Sequence, residues 1–244
     1  MSLMKPIAVF QHSRLVGPGH FANFLNARKR IWQLIRIDLG DAVPQSCEAF
    51  SGLCFLGGEM SVNDPLPWIE AELELIREAV ARDIPVIGHC LGGQLMSKAL
   101  GGKVGPNSVR EIGWGRVSVT DSSTAREWLG DLGEFDSFHW HGETFTLPTG
   151  AQALLSSRFC GNQAFVLGPH LGMQCHVEMT RELISDWADE WANETAALGV
   201  PQESVQSANA MLAEIDAKLP AMQHATERLY ERWLSHVLRR VQAD

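Results

Sequence analysis

The sequence predicts an α/β protein built in three layers, with a central, mostly parallel mixed sheet and a helical extension at its C-terminal end. Three observations carry this. Short apolar, β-branched runs alternate with helix-period segments through the first part of the chain, as crossover-connected strands require. Between 103 and 176 the helices thin out while strand-like runs continue, which adds an antiparallel portion. From Thr180 onward the pattern is helical.

In order, "PIAVFQH" (6–12) reads as a strand, "HFANFLNARK" (20–29) as a helix and "IWQLIRIDL" (31–39) as a second strand. "SGLCFLGG" (51–58) is a third strand, and a helix spans 67–82, where Trp68, Ile69, Leu73, Ile76 and Val80 recur at helical spacing. "IPVIGH" (84–89) is a buried strand that feeds a helix starting at Leu91. Strands then follow at 111–120, 135–140, 151–157, 163–168 and 171–176. Helices are expected over 181–198, 203–218 and 221–242, broken at "GVP" and at Pro220. The division is therefore a domain over 1–180 and an extension over 181–244. Met222, Ala225, Leu229, Trp233 and Val237 give the last helix an apolar stripe, which either packs on the domain or forms a homodimer contact.

With 244 residues, 45% of them apolar, the chain can bury a sizeable core. A net charge of −9 argues against nucleic acid or anionic membrane as partner, since nothing would neutralise phosphates. No apolar run approaches the ~18 residues of a membrane span. The N-terminal residues lack the pattern of a secretory leader. Five cysteines at 47, 54, 90, 160 and 175, with no CxxC pair, disfavour a disulfide framework or structural zinc and fit a reducing cytoplasm.

Two glycine-rich loops compete for function. "GPGHFA" (17–22), with Asp38 about 20 residues on, has dinucleotide-fingerprint spacing. Yet "SRLV" separates it from its strand and Pro18 removes an N–H, so an ordinary strand-to-helix loop is the better reading. There is no P-loop. "GHCLGGQ" (88–94) instead puts Cys90 in a tight turn between strand and helix. Such a turn projects the thiol, and the helix N-terminus favours thiolate and offers N–H groups to an oxyanion. Cys47, Cys54 and Cys160 read as inert packing residues.

A cysteine nucleophile needs a base and an orienting group. Of nine histidines, His12, His20 and His170 sit in loops with no carboxylate near in sequence. His89 should point to the far side of the turn. In "QCHVEM" His176 and Glu178 are two apart at the end of a strand, so both can face the same way. "HWHGE" places His139, His141 and Glu143 on one face, either a metal-like set or an edge strand lining a pocket, and the second reading is preferred.

These motifs together resemble the class I (triad) glutamine amidotransferases, in a stand-alone form similar to the glutaminase domain of GMP synthase. "GHCLGGQ" matches that family's nucleophile motif, "GMQCHVEM" its closing histidine motif and "FLGGEMSVND" its glycine loop; "EIGW" and "HWHGETFTLP" are also similar. The resemblance runs from about Ile7 to Glu178 and implies a flavodoxin-like fold. It further implies a Cys90–His176–Glu178 triad, an oxyanion hole of the Gly58 and Leu91 N–H groups, and substrate contacts at Gln94 and Trp140. It implies no cofactor and no metal. Glutamine or a γ-glutamyl compound would be the substrate, with a separate synthase subunit left open as partner. Val177 and Glu59 stand where the family usually has proline, and both substitutions are expected to loosen loops near the site.

Overall fold

The computed structural model describes residues 5–198 and 202–243, with side chains through 241. The first half alternates strand and helix: β1 (Ile7–Gln11), α1 (Gly19–Ala27), β2 (Trp32–Arg36), β3 (Gly52–Phe55), α2 (Pro67–Ala81), β4 (Val86–His89) and α3 (Leu91–Ala99). Long β5 (Val104–Val119) and β6 (Glu134–Phe145) flank α4 (Ser123–Leu129), and β7 (Gln152–Ser157), β8 (Ala164–Leu167) and β9 (His170–Met173) follow. The chain closes with α5 (Arg181–Glu190), α6 (Ala192–Ala197), α7 (Ala208–Ala213) and α8 (Ile215–Ala243).

The strands form one sheet in the order β2-β1-β3-β4-β9-β8-β7-β5-β6. Pairing is parallel from β2 through β4 to β9 and antiparallel from β9 to β6. The helix-poor middle of the sequence therefore makes the antiparallel half. Because β9 returns beside β4, the segment after β9 emerges next to the turn after β4. The Cys90 N–H donates to Met173 O at 2.8 Å and fixes that junction.

Both faces of the parallel half are covered, which is why its strands read as continuous apolar runs. In β1, Ile7 and Val9 pack toward Phe21, Phe24, Tyr230 and Trp233, whereas Ala8 and Phe10 pack toward Phe55, Ile69, Ile76 and Leu95. The apolar stripe of α8 is buried: Ala225, Leu229, Trp233 and Val237 join the α1 side of the core. Met222 lies with Trp114, Phe138, Ile184 and Trp187 in a third cluster near the C-terminal end of the parallel strands.

Several boundaries differ from expectation; among them, β5 begins at Val104 rather than 111 and the helix expected from 203 begins at Ala208. Pro220 does not break the helix, because α8 runs through it and the interruption lies at Glu214. Proline removes only one N–H near the start of a long helix, and buried Met222 and Ala225 hold the segment in place. The helix expected over 181–198 is divided at Trp191 into α5 and α6. β9 stops at Met173, so His176 is not in a continuous strand and keeps only a single bridge to Phe138. The expected break at "GVP" lies outside the described residues. Among the described residues no helix is long and apolar enough to cross a membrane.

Candidate active site

Cys90 occupies the turn between β4 and α3 with φ 51° and ψ −106°, a conformation that side-chain-bearing residues rarely hold. The turn is possible because its glycines admit neighbouring backbone: a Cβ on Gly92 would sit 2.0 Å from Phe55 O. Cys90 is the one cysteine that lines the large cavity described below. The other four are buried thiols. Burial pushes Cys47 up to about 11 and Cys175 up to about 12, and raises Cys54 and Cys160 as well, which keeps them protonated and inert.

The segment after β9 brings His176 to the cysteine. The imidazole lines the same cavity as Cys90, both beside Gly57, and its Nδ1 lies 2.6 Å from Glu178 Oε1. Burial alone would lower the imidazole's pKa, but the Glu178 and Cys90 charges and hydrogen bonds outweigh it and push it up to about 10. Burial likewise opposes ionisation of Glu178, and the His176 charge reverses this, holding the carboxyl below its usual range. His89 does turn away: it is packed with Phe21, and its Nε2 lies 2.9 Å from Tyr230 Oη. Burial lowers its pKa to about 4, so it stays neutral.

Gly58 lines the cavity in the loop after β3, and Leu91 opens α3 directly after Cys90. The two are in contact, since a Cβ on Gly58 would lie 2.9 Å from Leu91 Cδ2. Neither N–H is taken by a protein acceptor among the described residues. Gln94, 4% exposed, donates from Nε2 to Gln174 Oε1 at 3.1 Å, and Gln174 Nε2 donates to Cys90 Sγ at 3.5 Å. Gly58, Cys90 and Gln94 border a cavity of about 580 Å³, also lined by Trp140, Trp187, Trp191, Arg110, Glu143 and Glu194. That is the scale of a drug-sized ligand's pocket.

The structure also joins residues that spacing could not. His12 does have a carboxylate: its Nε2 lies 3.0 Å from Glu72 Oε2, and its Nδ1 3.1 Å from Leu56 O, on the segment leading to Gly58. His139 and His141 do not group with Glu143. They meet Glu111 of β5, with His141 Nε2 3.0 Å from Glu111 Oε2, and Glu111 also accepts from Ser157 and Gln163 at 2.7 Å each. Glu143 and His141 both line the cavity from β6, the edge strand, and His141 Nδ1 lies 2.9 Å from the Glu143 carbonyl oxygen. Trp140 shares that cavity, and Trp187 meets His176 edge-on at 4.8 Å.

The loop set aside as ordinary, "GPGHFA", supports the site. The His20 N–H donates to Glu178 O at 2.7 Å, and Gly19 has φ +44° where a Cβ would fall 2.2 Å from that oxygen. Asp38, the acidic residue of the dinucleotide-like spacing, is paired with Arg36 at 2.7 Å. At the two departures from the family pattern, buried Val177 is tied through its carbonyl to Thr226 Oγ1 at 3.3 Å, and Glu59 accepts from Ser13 Oγ at 3.2 Å.

The fold is α/β, with a strained cysteine between strand and helix near a buried histidine–carboxylate pair. The chain belongs to the class I glutamine amidotransferase family, whose model ("Glutamine amidotransferase class-I") matches residues 28–184. A crystal structure of a glutamine amidotransferase from Methylobacillus flagellatus is 41% identical, with TM-score 0.92 over 96% of each chain. The glutamine amidotransferase-like protein YfeJ of Salmonella typhimurium is 29% identical over 71% of this chain and 75% of its own. γ-Glutamyl peptidase 3 of Arabidopsis thaliana is 25% identical over 66% of this chain and 68% of its own. A GMP synthase of Ectopseudomonas mendocina is 32% identical over 57% of this chain, but the match spans only 28% of that longer protein.

Proposed function

We propose that the protein hydrolyses the side-chain amide of glutamine to glutamate and ammonia through a γ-glutamyl thioester on Cys90. The observation that carries this reading is that Cys90 and His176 line one cavity, with Glu178 buried against the imidazole. The Cys90 thiolate attacks the amide carbon. The resulting oxyanion is held by the N–H groups of Gly58 and Leu91, each contributing about 3–4 kcal/mol. His176, kept cationic by Glu178, gives its proton to the departing ammonia and leaves the thioester. The neutral imidazole then takes a proton from water, whose oxygen attacks the thioester carbonyl, and glutamate leaves as the thiolate is restored. Gln94, braced by Gln174, anchors the substrate, and Trp140 walls the pocket.

The same chemistry cleaves other γ-glutamyl amides, and the size of the cavity favours keeping that second reading: hydrolysis of γ-glutamyl peptides. In the first reading the ammonia passes to a separate synthase subunit. Intact-mass analysis after treatment with an electrophilic glutamine analogue tests the shared step. One adduct on Cys90, blocked by excess glutamine, is expected; an unmodified Cys90 would contradict it.

A further inference from the structure

Part of the cavity lining lies beyond the family match. That match ends at residue 184, and past it α5 and α6 add Trp187, Trp191 and Glu194 to the lining. Across the opening, β5 loses register with β6 between Pro106 and Glu111, and Arg110 of this irregular stretch also lines the cavity. Its stem lies on Gly142 of β6, where a Cβ would fall 3.3 Å from Arg110 Cγ. The Glu194 carboxylate is paired with Arg110 Nη1 and accepts from Trp140 Nε1 at 3.3 Å. Two donors on the sheet thus converge on a carboxylate carried by short α6, which follows Trp191. The Trp191 ring packs on those of Trp140 and Trp187, at 5.0 and 5.1 Å.

We infer that Arg110 and Trp140 Nε1 form a carboxylate subsite of the catalytic cavity, which Glu194 fills until a substrate carboxylate displaces it. The inference rests on the γ-glutamyl reading for its substrate. A guanidinium fork beside an indole N–H is a donor set suited to a carboxylate. Among the described residues that line the cavity, Arg110 is the one lysine or arginine, while Glu59, Glu143 and Glu194 are acidic. Apart from His176, which serves Cys90, Arg110 is the cation that an anionic substrate end would meet on these walls. The resident pair is partly exposed, 51% at Arg110 and 36% at Glu194, so it is weak and exchangeable, and a displaced Glu194 returns to water.

The incoming carboxylate has two sources: the α-carboxylate of the glutamyl half, or that of an amino-acid leaving group. Steady-state hydrolysis of glutamine, γ-glutamylmethylamide and γ-glutamylglycine separates them. Arg110→Met should raise KM about tenfold or more, with a smaller effect on kcat and partial recovery in Arg110→Lys. If the α-carboxylate is the ligand, all three substrates respond; if the leaving group is, γ-glutamylglycine alone does. Glu194→Gln should lower KM for the same substrates several-fold. Unchanged KM for all three in Arg110→Met, or a raised KM in Glu194→Gln, would overturn the subsite. Calorimetric titration of Cys90→Ala, with and without Arg110→Met, reads the subsite without turnover. Weaker binding of glutamine or γ-glutamylglycine in the double variant upholds it, and equal binding of both ligands overturns it. Absence of turnover in the wild type would count against the hydrolase reading alone.

Discussion

Glu178 Oε1 lies 2.6 Å from Nδ1 of His176, with both side chains cut off from solvent. A carboxylate so placed favours the cationic imidazole well above neutral pH. The proposed reaction needs that state in its first half, when the leaving nitrogen must be protonated.

Replacement Glu178→Gln keeps the shape and removes the charge. The His176 pKa should fall from about 10, so the alkaline limb of the kcat/KM profile should move toward neutral pH, with turnover reduced about 100-fold or more. The same shift has a stability consequence. A histidine whose folded pKa is raised above 6.5 stabilises the fold fully below pH 6.5 and loses that contribution as pH climbs through about 10. Urea unfolding of wild type and Glu178→Gln should therefore differ most at pH 6 and converge toward pH 10.

Gly19→Ala tests the support beneath the triad carboxylate. The new methyl would meet Glu178 O at 2.2 Å in a left-handed backbone, so the loop must move. A loss of about 1–3 kcal/mol in thermal or urea unfolding is expected, together with a lower kcat.

Gln174→Ala removes the link between Gln94 and Cys90. The KM for glutamine should rise about tenfold, the effect of losing one buried hydrogen-bonded anchor, while iodoacetamide still alkylates Cys90. Substrate kinetics alongside alkylation rates separate anchoring from thiol reactivity.

Trp233→Ala should cost about 3–5 kcal/mol in urea unfolding. The indole is fully buried beneath Gly52 of β3, where a Cβ would sit 3.0 Å from its ring, so α8 contributes to the core.

The parts legible in the sequence were those set by local pattern. The parallel strands showed as apolar runs because both their faces are covered, and Cys90 stood out because glycines crowd its turn. His176 and Glu178 could be paired because they are neighbours in the chain. What escaped was pairing across long separations. His12 and Glu72 lie sixty residues apart, and Glu111 reaches His141 only through the β5–β6 register. Gln174 lies inside the closing histidine motif, but Arg110 and Glu194 carry no motif of their own; only the register shift in β5 and the helix break at Trp191 bring them to the cavity. Pro220 misled because helix breaking is a local expectation, and packing of the flanking stripe overrode it.

Ammonia release from glutamine by wild type and Cys90→Ala, with unfolding midpoints compared, tests the central claim most directly. Hydrolysis by the wild type and a loss of about four orders of magnitude in the variant are expected, with the midpoint little changed. A folded Cys90→Ala protein that kept most of the wild-type rate would contradict it.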